Sequence, residues 1–282
     1  MSATAGLAPR ASAAWAQAWV RLLNISRYPG QIALEIMMPI LFATMPMLLA
    51  RATGSAGAAA ANFAANTGTR NYVAYLLIGS NVFILVTRAF WDVAYWLRYE
   101  QSTGTLETVS MAPVGKLTLA AGVALYSTVR SLLAGTAAYT IGCLLFGVNP
   151  LQGDVLLAGA FVLVGLVPLY GLSLLFGALV LRFKETNSLV NLLQWGASFL
   201  MGVYYPVTVL PRFLRAAALL FPPSWVIQGA RAAMLGLAYY LGHWYLDLAV
   251  LGAFLVIFPL LGAWVFRATE RGLRRKSGIG DF

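Results

Sequence analysis

Six long apolar runs, separated by short polar stretches, dominate the pattern of this chain. They cover roughly 31–50, 72–96, 117–146, 155–181, 188–205 and 244–266. Each approaches or exceeds the ~20 residues that a helix needs to cross a bilayer core of about 30 Å. The pattern predicts six membrane spans. Pro39 and Pro46 lie inside the first, a position that membrane helices tolerate. Ahead of it, 9–28 place Trp15, Trp19, Leu22 and Leu23 at helical spacing, with Arg10, Arg21 and Arg27 around them. That spacing predicts an amphipathic helix lying at the membrane interface. Residues 51–70 are rich in Gly, Ala, Asn and Thr without periodicity and read as an exposed loop. Residues 147–150 read as a tight exit turn and 182–187 as a short polar loop.

Two stretches break the simple alternation. Residues 206–230 are apolar yet hold Pro206, Pro211, Pro222 and Pro223, with Arg212 and Arg215. A straight span does not accept that pattern. Two short helices dipping partly into the membrane do, when protein covers them. Residues 231–240 are expected to add a further helical piece. The other stretch, 98–116, is polar and too long for a tight turn. Within it, 105–111 can wind one or two amphipathic turns that carry Leu106, Val109 and Met111, and Pro113 then stops the helix. A short helix across the mouth of two spans is a natural contact for a soluble partner.

Composition supports the membrane reading. Of 282 residues, 60% are hydrophobic and 10% are charged, against about 25% charged in soluble domains. A soluble fold of this size would lack polar groups to cover itself. The net charge of +10 does not point to nucleic acid, because the basic residues sit at the ends of apolar runs. Their distribution instead gives an orientation. With the N-terminus inside, Arg10, Arg21, Arg27, Arg98, Lys116, Arg182, Lys184 and the five basic residues of the 267–282 tail lie inside. Arg51, Arg70, Arg212, Arg215 and Arg231 lie outside. Both termini and the 98–116 stretch are therefore expected to be cytoplasmic. Residues 1–29 carry no cleavable signal pattern, so insertion through the first span is expected.

Four charged residues, Glu35, Arg88, Asp92 and Arg130, fall inside the predicted spans. Each costs at least about 2.5–3.5 kcal/mol at the bilayer centre on insertion scales. Arg88 and Asp92 are four apart on one helix and are expected to pair. Glu35 enters at a similar depth. These groups form either an internal ion-pair network or the polar lining of a path. Arg130 lies deeper and has no obvious partner in the sequence, which makes it the better candidate to meet an anionic substrate, a lipid headgroup or a second copy of the chain. Tyr204, Tyr205, Trp225, Tyr239, Tyr240, Trp244 and Tyr245 gather at one boundary and Trp91, Tyr95, Trp96 and Tyr99 at the other. That is the pattern of aromatic belts, with stacking on a sugar or lipid as the alternative. Gly142 with Gly147, and Gly171 with Gly177, are candidates for close helix packing.

Catalytic chemistry is not visible. There is no phosphate-binding glycine loop, no Ser/His/Asp set and no paired-carboxylate site outside the apolar runs. One cysteine (Cys143) and one histidine (His243) allow neither an internal disulfide nor a Cys/His metal cluster. The chain is expected to bind no cofactor and not to hydrolyse ATP.

The run Tyr99 to Val114, with Glu100, Gly104, Thr105, Leu106, Glu107 and Pro113 in register, resembles the E-x-x-x-G-T-L-E…P signature of type-2 ABC transporter permeases. A second match carries Gly202, Pro206, Leu210 and Pro211, then Pro222 and Arg231. The resemblance implies an all-α polytopic membrane protein, with 1–282 as one permease domain. It implies that 98–113 is a coupling helix docking on a separate ATP-binding subunit, where ATP and magnesium would reside, and that 206–230 form re-entrant helices on the outer side. It also implies a second copy of the chain or a close paralogue, a bacterial-type inner membrane, and export of a lipid, glycan, drug or peptide. In that register Gly104 permits close approach, Leu106 is the apolar anchor, and Glu100 and Glu107 face basic groups of the partner. Two rivals stand beside it. One is a lone proton-coupled carrier using Glu35 and Asp92. The other is a lipid-acting membrane enzyme, which would need a His, Asp or Glu cluster at one face that the sequence lacks.

Overall fold

The computed structural model describes residues 7–52, 56–94, 96, 100, 115–180 and 186–276. Among them helices are the regular secondary structure, with no strand. In chain order the helices are α1 (Leu7–Ser26), α2 (Pro29–Ala52), α3 (Ala56–Thr67), α4 (Tyr72–Ala89), α5 (Lys116–Phe146), α6 (Val155–Val180), α7 (Thr186–Met201), α8 (Arg212–Leu219), α9 (Pro222–Leu235) and α10 (Trp244–Lys276). A five-residue π segment, Phe90–Ala94, continues α4, and a 3₁₀ turn, Val207–Val209, precedes α8.

Among the described residues, five helices are long and apolar enough to cross a membrane: α2, α4 with its π segment, α5, α6 and α10. Large apolar side chains stand on the outside of this bundle, with Leu156 88%, Met45 75% and Leu260 67% exposed. Water would not tolerate such a surface, and lipid tails would. The remaining predicted span, 188–205, corresponds to α7, of which 16 residues are described. At 1.5 Å per residue it rises about 24 Å, short of the ~30 Å core.

Local chemistry sets several boundaries. Asn71 accepts a hydrogen bond from the Ala74 amide at 3.1 Å and so caps α4. Pro222 opens α9, where the missing N–H is no loss. Ser224 then donates to the carbonyls of Ala218 and Phe221 and holds the end of α8 against the start of α9.

The main core cluster runs along α4, α6, α9 and α10, with Phe83, Phe90, Phe161, Leu169 and Leu251 fully enclosed. The tightest pairing joins α6 to α10. A Cβ on Gly171 would strike the backbone of Phe258 and Pro259, and one on Gly262 would strike the Gly171 carbonyl. Bare backbone at both positions lets the two spans touch, the usual device where lipid removes any hydrophobic drive between helices. On the opposite side, α1 packs along α5, and α2 packs on α4 and α5. Helices α5 and α6 meet at one end, where the Thr128 hydroxyl donates to the Tyr170 hydroxyl at 2.9 Å, and diverge towards the other.

Two expectations change here, and the basic tail gains a conformation that the sequence pattern leaves open. The stretch 51–70 is not a plain loop, because Ala56–Thr67 form α3. Its alanines have the strongest intrinsic helix preference, which outweighs the absence of an apolar period. The basic tail is helical as far as Lys276, as a continuation of the last span. And 231–240 add no separate helix. Instead α9 runs unbroken through Arg231 to Leu235 and ends at Gly236.

Candidate functional site

At one end of the bundle the charges of three spans converge. Glu35 of α2 is only 3% exposed and receives two guanidiniums. Arg88 of α4 reaches its Oε1 at 2.8 Å. Arg130 of α5 donates from Nε to Oε2 at 2.9 Å and from Nη2 to Oε1, a two-point grip. Arg130 also donates to the Tyr126 hydroxyl, one helical turn earlier, and its guanidinium lies 5.5 Å from the centre of that ring. The sequence expectation of a partnerless Arg130 is thus corrected, since Glu35, 95 positions away, is its partner. The expected Arg88–Asp92 pair is corrected too, because Arg88 turns to Glu35 and no Arg88–Asp92 ion pair occurs among the described residues. The π segment carries Asp92, and its altered winding removes the regular i,i+4 register on which that expectation rested.

Asp92 lines a different space. A polar cleft of about 680 Å³ lies between α1, the start of α2, the π segment and α5. Arg21, Trp91, Asp92, Glu100, Tyr126 and Arg130 are on its walls. Trp91 is anchored by its indole N–H to Gln194 of α7 at 2.9 Å.

On the other side of the charged triad the surroundings become apolar. A slot of about 10 Å³ runs past Glu35, Arg88, Asn81 and Ser131. It shares Asn81, Leu85, Ser131 and Gly135 with a groove of about 430 Å³ between α5 and α6, floored by α4 and α9. Glu35, Arg88 and Arg130 therefore stand as a charged constriction between a polar cleft and an apolar groove.

Of the six residues singled out in the polar stretch, Glu100 is described, while Gly104, Thr105, Leu106, Glu107 and Pro113 lie outside the described residues. Glu100 is held inside the chain. Arg21 of α1 pairs with its Oε1 at 2.8 Å, and the Trp96 indole N–H donates to the same oxygen at 3.0 Å. Trp96 belongs to a small core with Val93, Leu119, Val123 and Phe266. The stretch is thus tied at Glu100 to α1 directly and to α5 and α10 through Trp96.

The second motif folds into a cap at the far end of the bundle. Arg231 of α9 is 1% exposed and donates to three backbone carbonyls: Tyr75 at 3.1 Å, Gly202 at 2.8 Å, and Val203. Its guanidinium lies 3.6 Å from the centre of the Tyr75 ring. A Cβ at Gly79 would fall on that guanidinium and on the Val203 carbonyl, so glycine there makes room for the clamp. Pro206 and Leu210 bracket the 3₁₀ turn, and Pro211 and Pro222 sit at the starts of α8 and α9. Burial raises the Tyr240 phenol above its ordinary range, so it stays neutral beside Arg231. These motif residues build the cap and do not line the cleft.

Sequence reasoning missed Arg21, Tyr126, Tyr75 and Gly79. Tyr126 lies four before Arg130, a helical spacing that could have signalled the pair. Arg21 and Glu100 are 79 positions apart, and no sequence period links them.

Among curated proteins none matches the chain. The charged constriction within a helical bundle, the tied polar stretch and the arginine-clamped cap all lie within residues 12–235, the region that matches the family model described as ABC-2 type transporter, and the chain belongs to that family as a multi-pass membrane permease.

Proposed function

We propose that this permease works as a homodimer, each copy docked through 98–113 on a separate ATP-binding subunit, and exports an amphipathic lipid, glycan, drug or peptide. In this reading the Glu100 end of the bundle is cytoplasmic, α7 completes the set of six spans, and α8 and α9 re-enter from the outer side. ATP and magnesium belong to the partner, in a bacterial-type inner membrane.

The observation that carries the coupling role is the double tie at Glu100. Arg21 and Trp96 share one carboxylate oxygen. A push on 98–113 is transmitted through it to α1 and to the π segment, and both wall the cleft. The charged triad spans α2, α4 and α5, so a relative shift of those helices opens or closes the passage between cleft and groove. The apolar groove beside a charged constriction fits cargo with a polar head and an apolar body.

The test is ATPase stimulation. The chain is co-expressed with the ATP-binding protein encoded beside its gene, and wild type is compared with Glu107→Arg and Leu106→Asp. A stable complex is expected, which either change dissociates or uncouples. If no ATPase co-purifies and both variants transport normally, the coupling reading fails. The lone-carrier reading, with Asp92 as its proton site, then takes its place.

A further inference from the structure

A cavity of about 690 Å³ opens beside the arginine-clamped cap, lined by Asp154, Tyr239 and Trp244 together with Leu156, Leu157 and Leu237. The turn ahead of α6 meets the last turn of α9 there. The Asp154 amide donates to the Ala233 carbonyl at 2.9 Å. Gly153, at φ 67°, is pressed so closely on α9 that a Cβ would strike the Ala233 and Met234 carbonyls. Asp154 therefore stands at the C-terminal end of α9, where the helix dipole is already negative. Burial first, then the charges of Asp154 and Asp247, raise the Tyr239 phenol above its ordinary range, so both carboxylates act on this corner. They are used differently. Asp247 is fully buried, and its two oxygens accept the amides of Tyr240 and Leu241, each at 2.9 Å. Asp154 is exposed. Its Oδ1 caps α6 through the Leu157 amide at 2.9 Å, and it has no ion pair among the described residues. An open carboxylate at the negative end of a helix, beside two aromatic rings, is an arrangement for a cation.

We infer that this cavity binds an organic cation with an alkylated ammonium group of the choline type, with Asp154 as its counter-charge and the rings of Tyr239 and Trp244 as its cation–π partners. The volume is in the range of ligand sites. Trp244 is 48% exposed, so its ring is open to a ligand. Tyr239 is held in place by stacking on Phe161, with centroids 6.0 Å apart. A hard metal ion takes several oxygen ligands, and no cluster of three or more metal-ligating side chains occurs among the described residues. A sugar brings no charge to meet Asp154. An alkylated ammonium brings both a charge and apolar methyl groups, which suit Leu156, Leu157 and Leu237. Two sources carry this group: a choline lipid headgroup and a soluble organic cation. The inference goes beyond the export reading and is independent of ATP coupling.

The experiment is saturation-transfer-difference NMR of the purified full chain, in a detergent without an ammonium group. The probes are choline and its uncharged isostere, in which carbon replaces the ammonium nitrogen. Choline should bind wild type at least about tenfold more tightly than the isostere, the scale of a cation–π contact with its counter-charge. Asp154→Asn keeps an oxygen to cap α6 and removes only the charge. It should weaken choline binding about tenfold, and Trp244→Leu should do the same. Trp264→Leu, 65% exposed on the same helix α10, should leave it unchanged. Size-exclusion profiles show whether each variant is folded. Equal binding of choline and the isostere by wild type, or no saturable binding of choline, overturns the inference whatever the variants do. Unchanged choline affinity in a folded Asp154→Asn protein overturns it as well. Titration in nanodiscs of phosphatidylcholine and of phosphatidylglycerol separates the sources. Loss of choline binding in the first alone identifies the lipid headgroup, and equal binding in both identifies the soluble cation.

Discussion

Replacing Glu35 by Gln removes the carboxylate that Arg88 and Arg130 share and leaves two guanidiniums facing each other. Both hydrogen-bond to the same Oε1. Donors on one oxygen are separated by at most about two hydrogen-bond lengths, or roughly 5 Å. At that separation and an effective dielectric of about 20 their repulsion is about 3 kcal/mol. Breaking one side of a buried ion pair typically costs about 3–5 kcal/mol. The side chain of Arg88 is 28% exposed and can turn outward, whereas Arg130 at 8% cannot. The expected loss is therefore near the lower figure, about 3 kcal/mol. Arg88→Gln should cost about 1 kcal/mol, because Glu35 keeps its two-point contact with Arg130. The double variant Glu35→Gln/Arg130→Gln should be more stable than the summed single effects predict, by at least about 2 kcal/mol, because it removes the stranded cation with its carboxylate. The assay is SDS-induced unfolding in mixed micelles, followed by tryptophan fluorescence. A Glu35→Gln protein within about 1 kcal/mol of wild type, or strict additivity in the double variant, would refute the account of the triad as an ion-paired network held by one shared carboxylate.

Other consequences are open to the same assay. Arg231→Met strips three backbone carbonyls of their donor and should destabilise by at least about 3 kcal/mol. Arg231→Lys should recover less than half of that loss, since the three N–H groups of one ammonium nitrogen cannot span acceptors set around a planar guanidinium, nor can it stack flat on Tyr75; full rescue by Lys would show that charge alone matters. Gly171→Ala pushes a methyl into the Phe258–Pro259 backbone and should cost about 1–3 kcal/mol. Gly252→Ala, on the same partner helix with open space around it, should be neutral or mildly stabilising; similar effects at both positions would refute the close-approach argument.

Much of the architecture is legible from spacing alone. Long apolar runs must be satisfied by their own backbone hydrogen bonds in lipid, so α2, α4, α5, α6 and α10 follow directly from where charge is missing. The prolines of 206–230 mark the starts of α8 and α9 for the same local reason, that proline cannot donate. The helix at 56–67 was not legible as an apolar period, because alanine drives it by propensity rather than by a buried face. The extension of α10 to Lys276 was hidden because its last residues are charged and leave the apolar run behind.

The sequence by itself determined that this is a membrane bundle with four charges inside it, and its match over 12–235 shows the family. It did not determine how those charges are shared. Helical spacing favoured Arg88 with Asp92, yet the fold gives Arg88 and Arg130 to Glu35 and leaves Asp92 in the cleft. Likewise only the fold joins Arg21 to Glu100, and Arg231 to the backbone at Tyr75 and Gly202. Secondary structure is set within one or two turns, where sequence spacing is distance. Ion pairing across a low-dielectric interior is set by which helices touch, and there the separation along the chain carries no information about the separation in space.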